Sequence, residues 1–405
     1  KGGEGTVSYT WGEEKAATVE AEPGLVHIVG AGEATKPAPV ADGDNYTNAT
    51  KPASYAIGVN PAAMSVTATN YTGTYDGESH TVTLTVTEPE GTTVKYGTEE
   101  GNCTLDAAPT FTDAGTYTVY YQVTKQNYTT VNGSATVTIN QAAGVISFAE
   151  SSMSKTYGDA AFTNELTNNG DGIVTYASDN TAIATVDDET GLVTITGAPG
   201  QATITATVSD GKNYAYATKT ATFTIGVETA AINVSAQGFT GTYDGESHSI
   251  SVTVTEPEGT TVKYGTTEGE YTLDAAPAYT NAGEYTVYYQ VTKPNYTTVE
   301  NKAVVSIQKA AATISYAETA ITKSEDDEAF TNELAVTGDG TVSYTSDNVN
   351  VATIDSETGL VTITGAGTAT IKTTVVDGTN YAYATKTAQY TLTVTAATGI
   401  KAIEN

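Results

Sequence analysis

Three histidines (His27, His80 and His248), one cysteine (Cys103) and 47 acidic side chains are the groups in this 405-residue chain that could carry chemistry. His80 closes the run Asp76-Gly77-Glu78-Ser79-His80, and His248 closes its near-copy Asp244-Gly245-Glu246-Ser247-His248. A serine beside a histidine invites a nucleophile–base reading. Neighbours on a strand point to opposite faces, however, and no G-x-S-x-G elbow is present. No His/Cys set has zinc spacing, and no phosphate-cradling glycine loop stands between a strand and a helix. No catalytic residue and no cofactor is therefore expected. Asp187-Asp188-Glu189 and Glu325-Asp326-Asp327-Glu328 offer the oxygen ligands Ca²⁺ takes, without EF-hand spacing. Solvated surface is the simpler reading of both, with Ca²⁺ the minor alternative and metal ligands left unassigned.

Charge excludes whole classes of partner. The net charge is −30, and all 17 basic residues are lysines. Such a surface repels phosphate and offers too few cations for counterion release, so nucleic acid is excluded. Anionic membrane surfaces are disfavoured for the same reason, and no apolar stretch is long enough for membrane insertion. Cys103 has no second cysteine to pair with, so no intrachain disulfide forms. The 27 tyrosines include Tyr120-Tyr121 and Tyr288-Tyr289, of which alternation exposes one each. An exposed ring could stack on a sugar, but cross-strand packing against threonine is simpler. Asn-x-Ser/Thr triplets at Asn45, Asn48, Asn70, Asn102, Asn127, Asn132, Asn233 and Asn295 are expected by chance in so Asn- and Thr-rich a chain.

These residues sit in a repeat. Residues 71–140 match 239–308, and residues 141–227 match 309–394, at an offset of 168 that falls to 167 after Ala366. Residues 1–60 align with the latter pair beyond roughly its first thirty residues. The expected organisation is a partial B segment over 1–60, lacking its N-terminal strands, then A over 61–140, B over 141–227, A over 228–308, B over 309–394 and a tail over 395–405. The incomplete first B reads as a piece cut from a longer chain. Two differences between copies, Cys103 for Tyr271 and Lys155-Thr156-Tyr157-Gly158 for Lys323-Ser324-Glu325-Asp326, read as positions that drift freely.

In Thr81-Val82-Thr83-Leu84-Thr85-Val86-Thr87 apolar side chains alternate with threonine, the pattern of a strand with one dry face. Turn signals at Tyr75-Asp76-Gly77, Glu88-Pro89-Glu90-Gly91 and Asp113-Ala114-Gly115 punctuate such runs. The fold class is all-β: tandem immunoglobulin-like β-sandwiches in an extended rod. Tyr117 follows the Asp113-x-Gly115 turn and precedes Val119 by two, as Tyr285 follows Asn281-x-Gly283 and precedes Val287. This is the form of a tyrosine corner, and Tyr117, Tyr285, Asp113, Gly115 and Gly283 are expected to be structural.

Val174-Thr175-Tyr176-Ala177-Ser178-Asp179-Asn180, Ala184-Thr185-Val186, Gly191-Leu192-Val193-Thr194-Ile195-Thr196-Gly197 and Ala202-Thr203-Ile204-Thr205-Ala206 resemble the bacterial Ig-like group 2 family of intimin- and invasin-like surface proteins. Where that family shows a Trp, Trp11 lies nearby in the partial B, and Tyr176 and Tyr344 stand in the full copies. The A segments, with Tyr75-Asp76-Gly77 and Tyr243-Asp244-Gly245, resemble tandem bacterial surface domains named for that motif. Lys155-Thr156-Tyr157-Gly158-Asp159 resembles the opening of a module associated with mucin binding. Ala396-Ala397-Thr398-Gly399-Ile400 resembles the linker before sorting regions of large Bacteroidetes surface proteins.

These resemblances imply an extracellular or bacterial cell-surface location. The leading functional expectation is a non-catalytic structural or adhesive stalk. A glycan- or mucin-binding adhesin, or an accessory part of a secreted polysaccharide-degrading enzyme, are the alternatives. The partners these imply are a glycan or host-surface ligand, or further copies joined by strand addition, with the tail over 395–405 as donor.

Overall fold

Threonine, valine and tyrosine in alternation favour pleated, half-buried strands, and every regular element among the described residues is a strand. The computed structural model describes residues 5–8, 15–21, 23–47 and 53–397, with no helix among them. Trp11, Asn48 and the tail from Thr398 onward lie outside the described residues. Contacts gather the chain into two compact units.

The first unit takes in Lys1–Met153, Ala160–Thr194 and Gln201–Gly226. Within it, residues 61–140 form a four-stranded sheet ordered Tyr71–Thr74, Val131–Asn140, Gly115–Thr124, Thr93–Gly97. The first pair is parallel and the others antiparallel. Ser65–Thr69 and Thr83–Glu88 pair as a second sheet. Val82, Val119, Ala135, Val137 and Ile139 fill the core between them. The alternating run enters its sheet at Thr83 rather than Thr81, because His80 is taken into a separate bridge with Phe111. Earlier in the chain, Ala17–Val19 pairs with Val26–Ile28, and Gly32–Ala38 with Ala53–Val59, around Ala16, Ala17 and Ala34.

The second unit takes in Ser154–Asp159, Ile195–Gly200 and Val227–Asn405. Residues 228–308 repeat the A arrangement, with Val287, Val291 and Val305 fully buried. Residues 309–394 carry a four-stranded sheet ordered Ala320–Ser324, Thr387–Thr395, Gly367–Val376, Thr341–Ser346. Two-stranded pairs Ile314–Tyr316 with Leu334–Val336, and Ala352–Ile354 with Val361–Ile363, complete it. Ile371, Tyr390, Leu392 and Val361 form its core. The copy in 141–227 has the same strand order. The fold is thus a tandem of immunoglobulin-like β-sandwiches.

Candidate functional site at the module junctions

The Asp113-Ala114-Gly115 turn is held from beneath by Tyr117. Its hydroxyl donates to the Asp113 carbonyl at 3.1 Å, and its ring stacks on Phe111 with centroids 4.2 Å apart. Glycine fits at 115 without displacing the ring, since a Cβ there would lie 3.0 Å from the Tyr117 hydroxyl. In the second copy Tyr285 donates to the Asn281 carbonyl at 3.1 Å and stacks on Tyr279 at 4.0 Å. A Cβ on Gly283 would come within 2.9 Å of the Tyr285 hydroxyl.

The turn so fixed presents the Ala114 N–H to the following B segment. It donates to Oδ1 of Asn213 at 2.8 Å, and Asn213 Nδ2 donates to Asp113 Oδ1 at 3.1 Å. Lys212 pairs with the same Asp113 carboxylate. Asn213 is positioned by its own module, with its N–H donating to Asp171 at 2.8 Å. The Tyr214 ring meets Tyr75 edge-on at 5.5 Å. Hydrogen bonds from Lys212 and then Asn213 hold the Asp113 carboxyl below its ordinary pKa, and Asp113 raises that of Lys212.

The second A-to-B junction reuses this geometry. Ala282 N–H donates to Asn380 Oδ1 at 2.8 Å, Asn380 N–H donates to Asp339 at 2.8 Å, and Tyr381 meets Tyr243 at 5.5 Å. Asn281 and Thr379 stand where Asp113 and Lys212 stood, and Asn380 Nδ2 donates to Asn281 Oδ1 at 3.4 Å.

The B-to-A junctions use a different asparagine. Asn127 and Asn295 adopt φ of 70° and 69°, the left-handed region that asparagine tolerates better than most residues. Asn127 Oδ1 accepts from Ala31 N–H and its carbonyl from Ala62 N–H, both at 3.0 Å. Asn295 Oδ1 accepts from Ala198 N–H at 3.0 Å and its carbonyl from Ala230 N–H at 3.1 Å. Tyr157 packs edge-on against Tyr296 at 5.6 Å. Each of the four junctions lies within one unit. Tyr157 is therefore not at a freely drifting position, as the comparison of copies suggested. Asn127 and Asn295, each the first residue of an Asn-x-Thr triplet, both bond backbone.

The histidines serve local structure. His80 Nε2 lies 3.0 Å from Asp76 Oδ1 and its ring stacks on Tyr71 at 4.2 Å. His248 repeats this with Asp244 and Phe239. Ser79 turns instead to Thr112 Oγ1 at 3.0 Å, so serine and histidine do not meet. His27 lies 3.0 Å from Glu20. The Glu78 N–H, then His80, lower the pKa of Asp76.

Asp187 spends one carboxylate oxygen on Thr190 N–H at 2.8 Å and Thr190 Oγ1 at 2.6 Å, and Asp355 does the same with Thr358. Among the described residues no three His, Cys, Asp or Glu side chains converge as metal ligands. Tyr121 and Tyr289 are buried, while Tyr120 and Tyr288 line shallow clefts of about 360 and 300 Å³. Cys103, Asn132 and Ser134 line the first cleft, and Tyr271, Glu300 and Lys302 the second. Tyr176 sits partly buried against Phe148, and burial raises its pKa. No helix among the described residues is long and apolar enough to cross a membrane.

Residues 160–210 and 331–379 match the family model of the intimin immunoglobulin-like domain. The two full B segments are thus intimin-like over their central strands. No curated protein matches the chain in sequence. Among solved structures, extracellular cadherin domains 1–5 of protocadherin gamma B2 align over 98% of this chain and 94% of that one, at 11% identity and a TM-score of 0.34. The protocadherin gamma B4 extracellular domain aligns over 97% and 77%, at 10% identity and 0.33. Domains 1–6 of the surface layer protein SbsC align over 85% and 55%, at 16% identity and 0.26.

Proposed function

We propose that the chain is a non-catalytic extracellular stalk or surface-fibre segment whose intimin-like B modules and intervening A modules are held in sequence by asparagine clamps. The observation that carries this is the recurrence of one bond type at every junction. An asparagine Oδ1 takes a backbone N–H of the adjoining module at Ala31, Ala114, Ala198 and Ala282. A short connection adds to the constraint, since Val131–Asn140 is followed at Ala142 by the first strand of the next segment. Bonds on both sides of so short a link restrict the angle between modules and favour a rod. On this reading the chain belongs to a bacterial surface protein, in keeping with the Tyr-Asp-Gly resemblance of the A segments.

Small-angle scattering tests the proposal. The intact chain should give an elongated profile, and replacing Asn127, Asn213, Asn295 and Asn380 by alanine should broaden the distribution of lengths. A wild-type profile as broad as the variant's would sink the stalk reading. The second reading, a glycan-binding adhesin, draws on the clefts beside Tyr120 and Tyr288. Their linings differ between the copies, which favours the stalk, and binding of the intact chain to a glycan array would reverse that preference.

A further inference from the structure

The last B segment ends differently from the other two. Where residues 141–227 meet the following A module, two backbone donors face Asn295: Ala198 N–H in the B segment and Ala230 N–H just past its boundary. Asn295 takes both, the first with Oδ1 at 3.0 Å and the second with its carbonyl at 3.1 Å. The counterparts in the last B are Ala366 and Ala397. Their N–H groups donate to the two oxygens of one side chain, Glu325: Ala366 to Oε1 at 2.7 Å and Ala397 to Oε2 at 3.1 Å.

Glu325 occupies the place of Tyr157. The backbone confirms the equivalence, since Tyr157 N–H donates to the Glu228 carbonyl at 2.9 Å and Glu325 N–H to the matching Thr395 carbonyl at 3.0 Å. One substitution therefore has two effects. It removes the ring that packs on Tyr296, and it supplies a carboxylate whose two oxygens reproduce the two acceptors of a docking asparagine.

We infer that Glu325 is a built-in terminator of module stacking: it closes the far end of the last B segment against an A-type module by occupying the donors such a module would need. The energetic argument is one of competition. A docking asparagine would have to displace a carboxylate already in place, and charge-assisted bonds to backbone N–H exceed those made by a neutral amide. Displacement would also leave a negative charge beside the Asp326, Asp327 and Glu328 carboxylates. The difference between Lys-Thr-Tyr-Gly and Lys-Ser-Glu-Asp, which the sequence presents as drift, is on this account the difference between a B segment open to an A-type module and one closed to it.

The inference rests on the clamp reading of the junctions, and amide hydrogen exchange on the full chain separates the two. Asn295→Ala, which removes the Oδ1 acceptor and keeps the carbonyl, should speed exchange at Ala198 by about ten-fold and leave Ala366 and Ala397 unchanged, which tests the clamp. Glu325→Ala should do the converse, and Glu325→Gln, which keeps one acceptor, should release one of the two amides. In a chain whose residues after Ala397 are replaced by a second copy of residues 231–308, the added module should tumble independently. With Glu325→Tyr it should dock and restore protection at Ala366. Unchanged exchange in Glu325→Ala and Glu325→Gln, or a docked added module while Glu325 is present, overturns the terminator even if the Asn295 result supports the clamp.

Discussion

The ammonium of Lys212 pairs with the carboxylate of Asp113 across 99 residues of sequence, and in the next copy both members change, to Thr379 and Asn281. The asparagine clamp beside them does not change. The neutral junction shows that the ion pair is an addition to the clamp rather than its basis. Both partners are solvent-exposed, where ion pairs contribute little and are screened by salt.

The charged junction should respond to salt and the neutral one should not. Raising ionic strength should speed amide exchange at Ala114, within about three-fold, and leave Ala282 unaffected. The double variant Asp113→Asn with Lys212→Thr should make Ala114 behave like Ala282. Equal salt sensitivity at the two amides in the wild-type chain contradicts this.

Acid should separate the junctions in the same way. The folded-state pKa of Asp113 is lowered, chiefly by the Lys212 hydrogen bond. Its contribution is therefore complete above the ordinary carboxylate value of 3.8 and is lost as pH falls through the lower folded value. Amide shifts of Ala114 and Asn213 should titrate below about pH 4. Asn281 has no such group, and Asp171 and Asp339 are common to the two sites, so Ala282 and Asn380 should move less over that range.

Removing the clamp itself should cost more than removing the ion pair. Asn213→Ala leaves the Ala114 N–H without its acceptor, a loss of about 1 kcal/mol. Asn380→Ala should match it at Ala282. Exchange at the two amides is the suitable readout, because a multi-domain chain does not melt in one two-state transition.

The turn that presents Ala114 should depend on Tyr117. Tyr117→Phe deletes the bond to the Asp113 carbonyl, for about 1 kcal/mol, and should loosen Ala114 as well as its own module. Gly115→Ala should be worse, since the added Cβ would meet the Tyr117 hydroxyl and shift the ring that supports the turn. Proteolysis rates within residues 61–140 and Ala114 exchange should rise together in both variants.

The last B module should gain from losing a hydroxyl. Tyr390 is 2% exposed, and its oxygen has no hydrogen-bond partner among the described residues. Burial pushes its pKa up, and the corresponding residue in the previous B is Phe223. Tyr390→Phe removes an unsatisfied buried oxygen and should stabilise this module by roughly 1 kcal/mol. Chemical denaturation followed at Tyr316, whose ring meets Tyr390 at 4.8 Å, would show the transition moving to higher denaturant; a shift to lower denaturant would count against the argument.

The all-β class and the sandwich were legible because strand alternation is local. Leu84 and Val86 fall on one face whatever else the chain does. The Asp113-x-Gly115 turn was visible for the same reason. Its second use was not, because Ala114 and Asn213 are brought together only when two modules have folded. Asn127 and Asn295 carried a faint signal, an asparagine at the same place in both copies, but composition hid it among many other asparagines.

The sequence by itself determined the repeat, the strand pattern and a surface unsuited to nucleic acid. Those follow from residue order, period and summed charge. Tertiary structure alone decided what the differences between copies mean. Tyr157 and Glu325 look like unrelated substitutions along the chain, and only their distances to Tyr296, Ala366 and Ala397 show one side chain reaching outward and the other closing its own module. The physical reason is that a backbone N–H is satisfied by whichever acceptor the fold brings within about 3 Å, and sequence separation carries no information about that.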